Sequence, residues 1–590
     1  MSDQRHRALV WLSTRSNRLS RIPQGRSLFG VVQTLTALIG CFDLDPNRVL
    51  DLMLSSLEFH CGGPVSTLDG HLYLVQQSYH CTSLTYMLGL KFNQNFGCRT
   101  QGSLYRLAAI LLGAGAVHLE DLLPYFACSL ETIAVKTRKL AKEAHVDARL
   151  LGVVSLTTSK KKPSNSELPH EMVETSKTRE SGTSQAFGLL EALLWDRRWH
   201  IAQPLLSRLE QIGAIPSNDA ECRHALLSLA HFVVDSIYTT ISPRKLGLTQ
   251  SHKALRVHLG TDDAAMSRPH NILEQLCCHL HVYVAFDVSL MTKLAHVAQY
   301  LIISKRSQSE TDAARRILAH VLLPALSLLP STPGFAFLVW KVVKLFPYRD
   351  RQMIYANWRG RGVEIKSVGS KNFDVTLVEC KAGRAARQTL KRVANEKKNY
   401  KQAGRALAKV AHSNPLVVFH VILAQVESYD NMIQPIVESL AFMTPLALDV
   451  LSYVLQFHLA DNSRPKLQQD GINIARWFQN LAHFAGAYYR SYPQAEIGYL
   501  IDFLLIRLET GHSIELLVFS ELLTRMGGSA VLEDISDAQI GGLAGGETLR
   551  REMLAFDKAP KRSMSKLLSA LCTPRTAIPM LALIAQSWPA

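Results

Sequence analysis

The sequence predicts an all-α protein, an irregular α-helical solenoid with one disordered internal linker. Three observations lead to this expectation. The 590 residues are 47% hydrophobic and 19% charged, so most of the chain can bury a core. Apolar residues recur at helical spacing in one segment after another, whereas alternating runs of Val, Ile and Thr are scarce. Short connectors marked by Pro, Gly or Asp separate these segments, as stacked antiparallel helices require.

The first helical domain is predicted at residues 29–156, after a poorly ordered basic N-terminus at 1–28. Its segment FDLDPNRVLDLML is typical of a helix start, because Asp45 stands in the capping position and Pro46 in the first turn. The segment SLYRLAAILLGAG continues the helical pattern.

Residues 157–184 break this pattern. Ser, Thr, Lys and Glu dominate there and the apolar periodicity is lost, so we interpret the segment as a disordered linker. Helices resume in a second helical domain, predicted at 185–410, and continue in a third at 411–590.

The clearest helices follow Pro415. They are predicted at about 416–429, 431–443, 446–460, 470–490, 493–510 and 513–526. In YDNMIQPIVESLAF, Asp430 or Asn431 is expected to cap a helix, and the residues at helical spacing form its buried stripe: Ile433, Ile436, Val437 and Leu440. No motif of fixed period is present, so any repeat is of the irregular HEAT or MIF4G type.

An uncharged run between Arg316 and Lys341 is long enough to span a bilayer. Prolines and a glycine interrupt it, however. Two short buried helices joined by PSTPG therefore explain the run better than a membrane span.

Motifs for catalysis are missing from the sequence. The chain contains no P-loop, no H-E-x-x-H and no G-x-S-x-G, and we predict no catalytic residue, no metal site and no cofactor. In GAGAVH, Gly113 and Gly115 are interpreted as the end of a helix, because the third glycine and the preceding strand of a dinucleotide site are lacking. An enzyme site that only folding assembles stays an alternative.

The best metal-like cluster is CCHLH, at residues 277–281. On a helix Cys277 and His281 would share a face, but no second pair of ligands stands at zinc-finger spacing. Buried cysteine and half-buried histidine on a core helix is the simpler interpretation.

Charge points to the partners of this chain. The net charge of +16 favours an anionic partner, such as nucleic acid, an acidic protein surface or a membrane surface. A solvated basic surface is the alternative. The cysteines are scattered without a C-x-x-C pair, which fits a reducing, intracellular compartment.

The densest positive charge lies between Lys381 and Lys409, where ten Lys and Arg residues accompany a single acid, Glu396. At helical spacing several of these residues share one face, and others return to it if the helix continues through NEKKNY, where the sequence also indicates a break. The candidate polyanion-binding or partner-binding residues are Arg384, Arg387, Lys391, Lys398, Arg405 and Lys409. Such a ridge could neutralise several phosphates, contact an acidic protein, or form a solvated helix surface. No aromatic residues interleave with it to stack bases.

Several short stretches along residues 40–590 stand in the order in which one known protein family carries similar stretches. The most specific is AHSNP followed by YDN-x-I-x-P-I-V-x-S-L; the others are FDLDPNRVLDLML, LGLKF, SLYRLAAILL, GLLEALL, VLLPALSLL, FPY with IYANW, WFQNLAHFAGAYYRSYP and GLAGGETL. Together they resemble the THO complex subunit 2 family, the large scaffold subunits of the THO complex.

The resemblance implies a solenoid with a MIF4G-like middle region within 185–410. It also implies a non-enzymatic, nuclear scaffold of the THO/TREX machinery, which couples transcription and mRNA processing to mRNA export. The expected partners are the other THO subunits, the DEAD-box RNA helicase and export adaptors of TREX, and mRNA bound directly or through them. No membrane is expected among the partners.

Family members are longer than this chain. The resemblance therefore implies a C-terminal truncation, with the solenoid at 411–590 incomplete at its end. Two other functions stay open, a HEAT-type nuclear transport receptor and another helical RNA-processing adaptor. The first would need a regular repeat of about 40 residues, which we do not find.

Overall fold

The computed structural model describes residues 39–60, 79–94, 102–126, 131–135, 185–241, 269–304, 308–358, 373–395, 400–527, 561–573 and 576–580, with isolated positions beside them. Helices dominate this part of the chain. It contains no β-strand, although one isolated bridge joins Leu467 to Ile474. The all-α prediction is confirmed. The N-terminal arm predicted at 1–28 and the linker predicted at 157–184 lie outside the described residues.

The described residues fall into two compact units that divide between Leu290 and Met291. The domain boundaries expected from the sequence at 156, 184 and 410 stay predictions.

In the first unit α1 packs against α2 and α3, α3 packs against α5, and α5 packs against α6 and α7; α7 then packs against α8. The helices are α1 Pro46–His60, α2 Cys81–Gln94, α3 Gly102–Gly113, α4 Leu119–Leu122, α5 Gln185–Trp195, α6 Trp199–Gln211, α7 Ala220–Ile241 and α8 Pro269–Leu280.

The helix ends predicted in this unit are confirmed. The Asp45 carboxylate accepts a hydrogen bond from the Asn47 N–H (3.0 Å), and α1 begins at Pro46. At the other end of the segment α3 stops at Gly113, and Gly115 follows with φ of +70°. That left-handed conformation is one that glycine adopts without strain, so it ends the helix there.

The CCHLH cluster does not form the shared face that a continuous helix would give. Because α8 ends at Leu280 and His281 has φ of +45°, Cys277 and His281 lie on different elements. Cys277 is buried, and burial raises the pKa of its thiol. His279 pairs through Nδ1 with the Glu210 carboxylate (2.9 Å). The core interpretation of Cys277 is thus confirmed, and the described residues contain no group of three His, Cys, Asp or Glu placed to hold a metal ion.

The second unit holds the longer helical series: α9 Val288–Ser304, α10 Gln308–Ile317, α11 Leu323–Leu326, α12 Pro333–Val343, α13 Tyr348–Trp358, α14 Phe373–Asn395, α15 Tyr400–Ala411, α16 Pro415–Ser428, α17 Ile433–Ser439, α18 Pro445–Leu459, α19 Arg476–Ser491, α20 Gly498–Glu509, α21 Leu516–Gly527 and α22 Lys561–Leu571. The uncharged run at 317–340 forms two helical segments joined at PSTPG, as predicted. Within the described ranges, no helix combines the length and apolar character needed to cross a bilayer.

From α14 to α21, alternate helices form two layers. In one layer α14, α16, α18 and α20 pack in succession, and in the other α15, α17, α19 and α21 do so. Contacts such as α14 with α15 and α16 with α19 join the layers. This is the arrangement of a helical solenoid, so that prediction is confirmed.

A buried ionic cluster fixes α13 to the two-layer array. Asp449 on α18 accepts hydrogen bonds from Arg351 (2.9 Å) and Tyr355 (2.7 Å) on α13, and from Tyr499 (3.2 Å) on α20. Burial raises the pKa of Asp449 despite the adjacent Arg351 guanidinium. The cluster therefore holds three helices together through one carboxylate.

The predicted helix at 470–490 begins later than expected, at Arg476. Residues 466–475 instead form a hairpin-like loop: the N–H of Ala475 donates to the Lys466 carbonyl (2.7 Å) and the N–H of Gln468 to the Asn473 carbonyl (2.7 Å). Gly471 has φ of +70°, and the Asp470 carboxylate accepts from the Asn473 N–H (3.0 Å). An Asp-Gly turn favours this hairpin over helix.

The stretch YDNMIQPIVESLAF is a joint between helices, as predicted. Its four stripe residues are buried: Ile433, Ile436, Val437 and Leu440. The capping assignment was wrong by one residue, because Asp430–Met432 forms a 3-10 turn whose N-cap is Tyr429.

Candidate polyanion-binding surface

The basic stretch forms two helices that pack against each other, rather than one continuous helix. α14 ends at Asn395 and α15 begins at Tyr400. The two helices contact each other, and both contact α16. The candidate residues therefore lie on two adjacent helices instead of along one helix face. Lys398 lies outside the described residues.

Small apolar side chains determine which faces of the pair are buried. Ala and Gly carry little bulk, so the helices approach their neighbours closely while the long basic side chains remain outside. The buried small residues are Ala382, Gly383 and Ala386 on α14, and Ala403, Gly404 and Ala408 on α15; Leu390 and Leu407 are buried beside them.

The outer face of α14 carries basic residues that were predicted and others that were not. Lys381, Lys391 and Arg392 are exposed, and Arg384 is half-buried among them. Arg387 is also half-buried and lies at the edge of this face, where it lines a groove between α14 and α16. Lys381 and Arg392 were not among the predicted residues.

The exposed face of α15 is also positively charged. Lys401 and Arg405 are exposed and Lys409 is half-buried. The Arg405 guanidinium lies 5.3 Å from the centre of the Phe442 ring, a cation–π contact that restrains the side chain. Lys401 was not predicted. The helical period alone does not reveal its exposure, because Lys401 lies close to the buried Ala408 on the circumference of α15.

Acidic side chains do not neutralise this surface in the part of the chain that the structure describes. The ion pairs found there involve none of Lys381, Arg384, Lys391, Lys401 and Lys409. Several unpaired cations on adjacent helices attract a polyanion over a distance that salt screening limits. We call this set the basic face: Lys381, Arg384, Lys391, Arg392, Lys401, Arg405 and Lys409.

Comparisons with known proteins match this region directly. A family model described as "THO complex subunit 2 N-terminus" matches residues 265–405, and one described as "Transcription- and export-related complex subunit" matches 407–482. The Homo sapiens protein named THO complex subunit 2 is 30% identical over 584 residues, which cover 94% of this chain. The chain belongs to the THO complex subunit 2 family.

The THO complex subunit 2 family extends to plants and fungi. The relative from Arabidopsis thaliana is 28% identical over 599 residues, covering 94% of this chain, and that from Saccharomyces cerevisiae is 28% identical over 260 residues, covering 44%. The chain spans about a third of the length of the human and plant relatives, 35% and 32% respectively, and 16% of the yeast one.

The two THO complex subunit 2 family models meet within α15, one ending at residue 405 and the other starting at 407. The basic face lies almost entirely in the first match. The second match continues through α16, α17 and α18 of the two-layer array and ends within α19.

Proposed function

We propose that this chain is a non-catalytic scaffold segment of a nuclear THO complex. The observation that carries the proposal is its collinear similarity, over 94% of its length, to proteins named THO complex subunit 2 from mammals and a plant. A two-layer helical array suits this role, because it exposes a long series of helix surfaces to several partners at once.

In this role the chain organises other THO subunits, the DEAD-box RNA helicase and the export adaptors of TREX. It thereby links transcription and mRNA processing to mRNA export. The similarity to THO complex subunit 2 proteins supports the link to THO subunits, and the helicase and adaptors follow from the family resemblance.

Affinity purification tests the scaffold proposal. The tagged chain is added to nuclear extract and the captured proteins are identified by mass spectrometry. THO subunits are expected to co-purify in excess over a tagged, unrelated helical protein of similar charge. Capture of the same proteins by both baits would contradict the proposal.

The basic face gives this scaffold a direct contact to mRNA. Its cations lie on two adjacent helices, so a strand can cross both and place successive phosphates near Lys or Arg side chains. Contacts of this kind bind the backbone independently of sequence and weaken with salt.

Charge reversal tests the RNA contact. The triple variant Arg384→Glu, Lys391→Glu, Arg405→Glu is expected to bind single-stranded RNA about tenfold more weakly, or worse, at low salt, since three phosphate contacts are replaced by repulsion. Fluorescence anisotropy with a labelled RNA measures the affinity.

The matched control reverses the charge of three exposed basic residues outside the basic face: Lys341→Glu, Lys344→Glu, Arg476→Glu. It changes the net charge equally and is expected to retain most of the affinity. If both triples lose the same affinity, binding depends on net charge and the basic face has no special part in it. If RNA affinity is unchanged while capture of a THO subunit is lost, the face serves an acidic protein partner instead.

A further inference from the structure

A groove between α14 and α16 borders the basic face. Its volume is about 370 Å³, within the range of small-molecule sites. Gly383, Val417 and Val421 give it an apolar lining, and Ala424 lies exposed among the lining residues. Gly383 and Ala424 place no large side chain in the groove.

Two planar cationic or aromatic groups line the same groove, the Arg387 guanidinium and the His420 imidazole. Both groups are among those on which unstacked RNA bases rest. Arg387 also links the groove to the basic face, because it lies one turn from Arg384 and one turn from Lys391 on α14.

The orientation of His420 is fixed by its neighbours. Its Nδ1 lies 2.9 Å from Nε2 of His458, and Nδ1 of His458 lies 2.6 Å from the Glu427 carboxylate. Glu427 is buried and also pairs with Arg464 (3.0 Å). A ring held in this way forms a preorganised wall, which loses little conformational entropy when a ligand packs on it.

Polar groups also line the groove. The Glu379 carboxylate accepts hydrogen bonds, and the Gln425 amide both donates and accepts them. The exocyclic amino groups and ring nitrogens of a base offer matching partners. A peptide helix would find a short apolar surface here, but the adjoining cations and the two planar groups favour a base.

We infer that this groove binds a nucleobase of single-stranded RNA whose phosphates lie on the basic face. The inference rests on the RNA contact proposed above and extends it to recognition of unpaired bases. Duplex RNA cannot insert a base in this way, because its bases are stacked and paired.

The inference is tested by comparing the affinity of the chain for two labelled strands of equal length. One is a single-stranded RNA, and the other is an abasic strand with the same phosphates. The full chain is expected to prefer the RNA by about tenfold, as one stacked base contributes. Ala424→Trp fills the groove and is expected to bring this preference close to one. Arg387→Lys keeps the charge but loses the plane, and is expected to reduce the preference as well.

The control Ala406→Trp adds the same bulk to an exposed alanine that does not line the groove, and it should keep the preference. Circular dichroism confirms that each variant is folded. Equal affinity of the wild-type chain for both strands would overturn the inference, as would a preference that Ala424→Trp leaves intact. A glutamate-rich peptide that competes with RNA and is blocked by Ala424→Trp would assign the groove to protein and would also overturn it.

The charge-reversal triple separates the two failures. If it weakens both strands while groove variants change nothing, the RNA contact stands and the groove inference falls. If it weakens neither strand, the RNA contact itself falls.

Discussion

Buried charges in the second unit act as ties between segments that are distant in sequence. Glu515, which is 1% exposed, accepts hydrogen bonds from Lys466 (2.7 Å) in the hairpin-like loop and from Arg507 (2.8 Å) on α20. Burial favours a higher pKa, but the two cationic donors outweigh it and hold the pKa of Glu515 below its usual range. The carboxylate is therefore charged at neutral pH and fixes the loop to the array.

Glu515→Gln is expected to lower the free energy of unfolding by about 3 kcal/mol at pH 7, since it leaves two cations without their counter-charge. A depressed pKa contributes stability above the unfolded value and loses it as the pH falls through the folded one. The difference between wild type and variant should therefore shrink below about pH 4.3. Urea unfolding at several pH values measures it.

Glu509→Gln is the control, because Glu509 is an exposed glutamate on α20. It should change stability little at any pH. A Glu515→Gln penalty that is constant down to strongly acidic pH would show that the charge of Glu515 is not what stabilises the loop.

For individual residues, the sequence predicts apolar stripes and helix caps but not the buried ion pairs. Asp45 and the stripe of Ile433 and Ile436 were identified, because their partners lie within a few residues. Arg351 and Asp449 are 98 residues apart, and their pairing exists only once α13 and α18 pack together. The residue pattern of one sequence does not indicate which distant charged residues will pair.

Among the elements, glycine allows the closest approaches within one layer. A Cβ at Gly404 on α15 would lie 2.9 Å from the Ser439 carbonyl oxygen on α17. A Cβ at Gly486 on α19 would lie 2.9 Å from the Glu521 carbonyl oxygen on α21. In both places helix backbone meets helix backbone, so a side chain would force the layer apart.

Gly404→Ala is expected to destabilise the chain by about 1–2 kcal/mol, since overpacking against backbone outweighs the better helix propensity of Ala. The matched change is Gly383→Ala on α14, where a Cβ would meet the Val417 side chain at an ordinary 3.4 Å. That variant is expected to be neutral or up to about 1 kcal/mol more stable. Thermal unfolding compares the two, and an equal loss in both would refute the role of close approach.

The bounds of α16 and α18 were predicted to within one residue, because each of these helices carries its own apolar period and begins at a proline. The error at 470–490 has a local cause: Asp470 and Gly471 favour a turn, and the apolar residues around them were counted as helical. The sequence NEKKNY indicated the break between α14 and α15, and the two helices are separate. Their contact could not be predicted from the sequence, because it arises only when the helices pack.

For the whole molecule, the net charge of +16 predicts that RNA binding weakens as salt concentration rises. If the basic face binds RNA phosphates, the logarithm of affinity should fall linearly with the logarithm of salt concentration. Each lost contact to a single strand reduces the magnitude of this slope by about 0.7. The triple Arg384→Glu, Lys391→Glu, Arg405→Glu should therefore reduce the magnitude by about two. A salt titration of RNA binding measures the slope, and the control triple at Lys341, Lys344 and Arg476 should leave it nearly unchanged.

The two-layer arrangement also bears on how the chain is made. Between α14 and α21 the principal contacts join helices no more than three places apart in the series. A helix leaving the ribosome therefore meets partners synthesised shortly before it, and low contact order favours rapid assembly. This region can acquire its packing turn by turn during translation, instead of waiting for a distant segment to arrive.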